Sequence, residues 1–186
     1  GKFLFKKDMT SFDMIRSLRL NVPVNVAFNN QETLGKLVQR LSTQLEPDSL
    51  ALEVAFTNTP FLQENGFTEE TILALFIPNT YEFYWNTPAN KIANKLAKEY
   101  NKFWNEDRLA KAKAKNLTPI QVYTLASIVH KETAKVDERP TVAGVYLNRL
   151  KQEMPLQADP TVIFAIKKRS GDFDQEIKRV FYNDLR

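Results

Sequence analysis

Cysteine is absent from this chain of 186 residues, and histidine occurs once, as His130. The first absence removes disulfide frameworks, thiol nucleophiles and thiolate metal sites, and it fits a reducing or an oxidising compartment equally well. The second leaves no imidazole set for a zinc site and makes a His-dependent triad hard to build. Glycine is also scarce: Gly1, Gly35, Gly66, Gly144 and Gly171 never approach the spacing of a phosphate-cradling loop or a dinucleotide fingerprint. No apolar run reaches the roughly 18 residues of a membrane span. No signal-peptide pattern opens the chain, which starts at Gly1 rather than Met, so it reads as an excised soluble fragment. For an enzyme these exclusions leave carboxylate chemistry, with no cofactor implied.

The length is enough to bury a real core in one domain or two small ones. Twenty-six basic against 22 acidic residues give a net charge of +4. That suits an anionic partner, whether a polyanionic glycan, a membrane surface or nucleic acid, without selecting among them.

Phe3 and Phe5 alternate with lysines as a short half-buried strand. Asp8 or Thr10 then caps a helix carrying Met14, Ile15 and Leu18. Val22, Val24, Val26 and Phe28 alternate as a second strand, with Pro23 marking an edge or a strand start. Leu34, Leu37, Val38, Leu41 and Leu45 give an amphipathic helix ending near Pro47. Between Pro47 and Phe76, Leu50, Val54, Leu62, Ile72, Leu73 and Leu75 mark short helices broken at Pro60 and Gly66. Thr68 to Thr71 reads as a helix start with acids at its positive end. The stretch from Phe76 to Trp85 is aromatic-dense and poorly periodic. Tyr81, Phe83, Tyr84 and Trp85 suit either a core or a sugar-stacking surface. Thr87-Pro88 opens a further helix with Ile92, Leu96, Tyr100 and Phe103 on one side and Lys91, Lys95, Lys98 and Lys102 near the other. Such a face is either solvated or laid on an anionic surface.

Thr118-Pro119-Ile120-Gln121 carries the pattern of a capping box with proline at the first helical position. Val122, Leu125, Ala126 and Val129 form the apolar stripe of the helix that follows, and Glu132 continues it. A carboxylate on a buried stripe is desolvated, which raises its pKa and suits a general acid. The alternative is a frayed helix end where Glu132 pairs with Lys135 at the surface. Asp137 can cap a second helix that tolerates Pro140 in its first turn, with Val142, Val145 and Tyr146 along one side. Arg149 falls on that side and needs an anionic or carbonyl partner, either Asp159 or a bound substrate. Met154 to Ala158 reads as a loop, and Asp159-Pro160-Thr161 as an N-cap opening the helix of Val162, Ile163 and Ile166. Gln157 offers an amide suited to a sugar's acetamido group. The segment from Asp172 to Arg186 reads as a short helix.

The run Ala126-Ser127-Ile128-Val129-His130-Lys131-Glu132-Thr133, then Glu138-Arg139-Pro140, Ala143-Gly144-Val145-Tyr146-Leu147-Asn148-Arg149-Leu150 and Met154-Pro155-Leu156-Gln157-Ala158-Asp159-Pro160-Thr161-Val162-Ile163 resembles the signature of the MltG/YceG-like endolytic murein transglycosylases. Upstream, Ile77-Pro78-Asn79-Thr80-Tyr81-Glu82-Phe83 is similar to the family's Pro-Asp-Thr-Tyr turn, with Asn79 where Asp is usual. Family members commonly read Glu-Lys-Glu where this chain has His130-Lys131-Glu132, so only the second acid survives.

The resemblance implies an α+β chain: a strand-helix-strand-helix LysM-like module over residues 1–46, then a mainly helical catalytic domain over 47–186 lacking its C-terminal part. It implies Glu132 as the catalytic acid and base, with Asn148, Arg149, Gln157, Asp159 and Thr161 binding substrate. It further implies peptidoglycan strands as substrate and peptidoglycan synthases as partners. The expected location is the bacterial inner membrane, reached through a single N-terminal anchor outside this sequence, with the domain facing the periplasm or wall. Two other classes stay open at this point: a non-catalytic glycan-binding or assembly module, and a water-using hydrolase pairing Glu132 with Asp159.

Overall fold

The computed structural model describes residues 1–177, 179 and 180. The chain is α+β and mostly helical, and it parts into two compact units, Gly1–Ala110 and Lys111–Arg186. Among the described residues no helix is long and apolar enough to cross a membrane.

The first unit is built on a two-stranded antiparallel sheet, β1 (Pro23–Phe28) against β2 (Asn79–Tyr84). Register puts Val26 opposite Tyr81 and Val24 opposite Phe83, so the period-two pattern of both strands lands on one inner face. Phe28 stacks on Tyr81 with ring centroids 5.5 Å apart. The other edge of β1 is closed by a side chain. Gln44 accepts from the Ala27 N–H at 3.0 Å and donates to the Ala27 carbonyl at 3.1 Å, which blunts an edge otherwise open to pairing.

That closure explains why Phe3 and Phe5 form no strand. With β2 on one side and Gln44 on the other, the alternation has no ladder to join; Phe5 is exposed, and Lys2 contributes a single backbone acceptor to Val22. Helix α1 (Ser11–Ser17) is capped by Thr10 as expected, yet it buries nothing, and Met14, Ile15 and Leu18 are exposed. The expected opening order of strand, helix, strand and helix is therefore helix, strand and helix. The partner of β1 comes from the aromatic stretch, where Tyr81 and Phe83 are buried while Tyr84 and Trp85 are exposed.

Helices α2 (Leu34–Ser42) and α3 (Ser49–Thr57) are capped by Thr33 and Asp48. Leu37, Val38 and Leu41 of α2 are buried as expected, but α3 buries Leu52 and Phe56 and leaves Leu50 and Val54 exposed. Both α3 pairs are four residues apart, so periodicity alone cannot choose between the stripes; burying Phe56 removes more apolar area from water. Pro60 starts α4 (Thr59–Asn65) rather than breaking a helix, since a first-turn proline lacks only an N–H that would be orphaned anyway. Gly66 ends α4 in the left-handed region at φ 73°, and the next N–H, from Phe67, reaches back to the Leu62 carbonyl. A 3-10 turn, Ile72–Leu75, and α5 (Ala89–Phe103) complete this core with Ile72, Leu75, Ile92 and Leu96. Lys91, Lys98 and Lys102 are exposed on α5, while Lys95 lies over the Phe83 ring at 4.8 Å from its centroid. Helix α6 (Glu106–Lys113) follows.

The second unit holds α7 (Pro119–Glu132), α8 (Arg139–Lys151) and α9 (Asp159–Ser170). Its core cluster is Leu125, Val129, Tyr146 and Ala158, flanked by half-buried Ile128, Val142, Leu147 and Leu156. Val145 is exposed rather than sharing the Val142 side. After Gly171, residues 172–177 are not helical: Asp172 Oδ1 accepts from the Asp174 and Gln175 N–H groups, an alternative to helical bonding. The rest of the helix expected over 172–186 falls partly on residue 178 and residues 181–186, outside the described residues.

Candidate active site at the α7, α8 and α9 junction

The capping box at the start of α7 is complete. Thr118 Oγ1 accepts from the Gln121 N–H at 3.2 Å, and Gln121 Oε1 accepts from the Thr118 N–H at 2.8 Å. This fixes the helix phase, so Leu125 and Val129 face the core. Glu132 is the last helical residue, three positions beyond Val129, and it is exposed. The expectation of a buried carboxylate is thus corrected: the helix ends at Glu132, and the chain turns away before a further turn can cover it. Lys135 does not pair with Glu132 either. Its Nζ lies 2.8 Å from Glu138, which also accepts from Thr133 Oγ1 at 2.8 Å. Those two bonds hold the Glu138 carboxyl below the usual range, the Lys135 contact being the larger cause. They close the short link between α7 and α8. Glu138, not Asp137, precedes the first residue of α8, and it makes no side-chain cap.

Tyr146 stands on α8 with its ring in the core cluster and only 5% of its surface exposed. Its phenol pKa is raised, first by burial, then by a hydrogen bond to the Glu132 side chain and by the Glu132 charge. The Asp159 charge pushes the same way and the Arg149 charge opposes it. Glu132, Arg149 and Asp159 thus all bear electrostatically on one phenol, although they come from three helices. Sequence periodicity marked Tyr146 only as an apolar position. Its hydroxyl, which needs a partner when buried, was the signal available.

Arg149 lies three residues beyond Tyr146, on the same side of α8. Its guanidinium takes carbonyl partners rather than Asp159: Nη1 donates to the Leu156 carbonyl at 2.5 Å, to Gln157 Oε1 at 3.2 Å and to the Pro155 carbonyl at 3.4 Å. One guanidinium nitrogen thus shapes the loop between α8 and α9, where Gln157 adopts a left-handed backbone at φ 51°. The loop delivers Ala158 into the core and Asp159 to the first position of α9. Asp159 is not the N-cap expected from the sequence. Ala158 holds that position, and the Thr161 hydroxyl donates to its carbonyl at 2.7 Å. Asp159 is left exposed at the positive end of α9, which suits its charge. Asn148 is exposed two residues from Tyr146 and so faces a different side of α8. In all, Arg149 and Gln157 are hydrogen-bonded, and Glu132 and Asp159 act with Arg149 on the charge balance at Tyr146; Asn148 does not, and the Thr161 hydroxyl is committed to the backbone.

A family model described as the YceG-like family matches residues 1–185. A Streptococcus pneumoniae protein named endolytic murein transglycosylase is 47% identical over 53 residues, 28% of this chain and 10% of that protein. A Bacillus subtilis protein of the same name is 33% identical over 109 residues, 58% of this chain and 28% of that protein. The chain thus spans only a minor part of each of these relatives. The crystal structure of a yceG-like protein from Listeria monocytogenes has a similar fold, with a TM-score of 0.70 at 20% identity, covering 96% of this chain and 62% of that one.

Proposed function

Since the chain belongs to the YceG-like family, we propose that the protein containing it is an endolytic murein transglycosylase, cutting the β-1,4 bond between N-acetylmuramic acid and N-acetylglucosamine within peptidoglycan strands. The observation that carries the proposal is that α7, α8 and the start of α9, which bear Glu132, Arg149 and Asp159, share one core cluster. The names of the Streptococcus and Bacillus relatives support it from outside.

In this reading the protonated Glu132 gives its proton to the bridging oxygen as the C1–O bond breaks. The resulting carboxylate then takes the proton from the muramic C6 hydroxyl while O6 closes on C1. No water is consumed, the product end is 1,6-anhydro, and a second carboxylate is not needed. Because Glu132 is exposed, the glycan strand itself has to exclude water from the carboxylate during reaction. Arg149 and Gln157 shape the loop beside the strand, Asp159 and Asn148 meet its polar groups, and Thr161 holds the start of α9. We extend the proposal to a single-pass protein of the bacterial inner membrane, with this domain facing the periplasm or wall and working beside peptidoglycan synthases.

The LysM-like reading of the N-terminal region belongs here too. Within the residues 1–46 assigned to it lie α1, β1 and α2, while the strand that pairs with β1, Asn79–Tyr84, falls beyond those bounds. Glycan contact by that region is part of the same proposal.

The exposure of Glu132 favours a second reading, a glycan-binding module without turnover. Product analysis on purified sacculi with the full-length protein separates the two. Anhydro-muropeptides that disappear in Glu132→Gln, with the fold intact, support the transglycosylase. Binding without product supports the module, and reducing-end products point to a water-using hydrolase with Asp159 as base.

A further inference from the structure

We propose that Glu138 is a positioning residue for Glu132: its carboxylate latches Thr133 and Lys135, and the latch fixes where the last residue of α7 is aimed. The catalytic consequence rests on the transglycosylase reading above, whereas the latch itself rests on hydrogen bonds in the structure.

Glu132 is the last helical residue, so the ladder of α7 holds the backbone on one side of it only. Thr133 leaves the helix at once, at φ −137° and ψ 134°, and an unsupported chain would swing freely from that point. Three bonds converge on Thr133 instead. Its N–H donates to the Val129 carbonyl at 3.3 Å. Its hydroxyl donates to Glu138 Oε2 at 2.8 Å and accepts from the Lys135 N–H at 3.1 Å. Lys135 Nζ then closes the ring on the other carboxylate oxygen, Glu138 Oε1, at 2.8 Å. The residue next to the acid is thereby tied back to α7 and forward to the start of α8. A general acid gains from such bracing, because a displacement of about 1 Å at the reacting group can cost roughly 100-fold in rate.

Glu138 is released for this task by the residue two places after it. It holds the N-cap position of α8 with helical backbone, φ −79° and ψ −23°, yet makes no side-chain cap. A capping side chain bonds the N–H of the second or third helical residue, and the second here is Pro140, which has none. The carboxylate therefore turns back across the link rather than forward into its own helix. Lys135 and, after it, Thr133 hold that carboxyl below its usual range, so both oxygens remain acceptors at neutral pH. The latch is open to solvent, with the Lys135 and Glu138 side chains 72% and 46% exposed, and an exposed ion pair adds little to stability. Its removal should thus be felt in the aim of Glu132 and hardly at all in the melting of the unit.

The test uses the full-length protein. Glu138→Ala deletes the latch, Thr133→Val removes the hydroxyl at nearly constant shape, and Thr133→Ser keeps it. The first two variants should each lower kcat by about 10-fold, a partial loss of aim on the scale above, with KM and Tm close to wild type. Thr133→Ser should recover most of the wild-type kcat. The double variant Thr133→Val with Glu138→Ala should be little worse than either single, since both break one network. Independently of turnover, the Lys135 amide should exchange its hydrogen faster in Glu138→Ala and Thr133→Val, with the middle of α7 protected as before. Wild-type kcat in both variants beside an inactive Glu132→Gln would overturn the positioning role and leave the transglycosylase reading standing. Losses that multiply in the double variant, appear in KM alone or track a fall in Tm would do the same, as would unchanged exchange at Lys135. A fully active Glu132→Gln would overturn the transglycosylase reading and, with it, the positioning role of Glu138.

Discussion

The two units divide labour. The largest fully buried side chains among the described residues, from Phe56 and Leu37 to Val26 and Val38, all lie in Gly1–Ala110. In Lys111–Arg186 the core cluster comes down to Leu125, Val129, Tyr146 and Ala158, and one of those four carries a hydroxyl into the candidate site. Apolar volume sets the stability of the first unit. In the second, the buried set is smaller and includes Tyr146, so a change to that cluster reaches the candidate site directly.

The same contrast appears in two buried tyrosines. Tyr81 hands its hydroxyl to the Ile77 carbonyl at 2.5 Å, a neutral acceptor four residues away in its own turn. The Tyr146 phenol is raised first by burial and then by Glu132, which stands on another helix. The Tyr81 bond ties β2 to the loop just before it. Tyr146 instead answers to ionisable groups from other helices.

The comparison breaks most easily at Phe56. This residue is wholly buried on α3, with its ring centroid 4.6 Å from that of Phe76. Phe56→Ala should destabilise the first unit by about 3–5 kcal/mol, the transfer and cavity cost of a lost core aromatic. Because two units need not unfold in one step, hydrogen exchange should localise the loss to Gly1–Ala110 and leave α7 and α8 protected as before. An equal loss of protection in both units would end the division drawn above.

Next in size is an alkaline effect. Burial, and secondarily the charge of Glu99, push the Tyr81 phenol from 10.0 up to about 12. A raised folded pKa contributes stability that is fully present below about 10 and is lost as pH rises through about 12. That rise is worth roughly 2–3 kcal/mol. Denaturant unfolding of the first unit should therefore weaken across that window in the native protein, and Tyr81→Phe should remove most of the slope. A slope unchanged in Tyr81→Phe would assign the alkaline loss to another group.

What the sequence carried and what it did not divide along similar lines. The capping box at Thr118 and the cap at Thr10 were legible because each depends on residues within one turn. The pairing of β1 with β2 was not, since its two strands lie some fifty residues apart and β2 hides among aromatics that also read as core. The α3 stripe was ambiguous because Leu50 with Val54 and Leu52 with Phe56 fit the same period. At the site, Glu132, Arg149, Gln157 and Asp159 stood out by residue type and position, while Tyr146 did not. A phenol at an apolar position satisfies the pattern of a core residue, and only the third dimension brings the charges of Glu132, Arg149 and Asp159 to bear on it. The buried setting expected of Glu132 failed for a local reason: extending a stripe by one more turn assumes that the helix continues, and α7 stops there.

The smallest expected effect tests whether stability and chemistry can be separated inside the second unit. Thr118 lies at the opposite end of α7 from Glu132, and Thr118→Ala removes one half of the reciprocal cap. The cost should be about 1 kcal/mol, seen as faster hydrogen exchange in the first turn of α7 and a slightly lower Tm for this unit alone. Leu125 and Val129 still seat the middle of the helix against Tyr146, so the Glu132 end should keep its place. Turnover by the full-length protein should then match wild type wherever the unit remains folded. A loss of turnover in the folded variant on removing a cap at the far end would mean that α7 transmits its fraying along its whole length; the four-residue core would then be too small to isolate the site from the rest of its own helix.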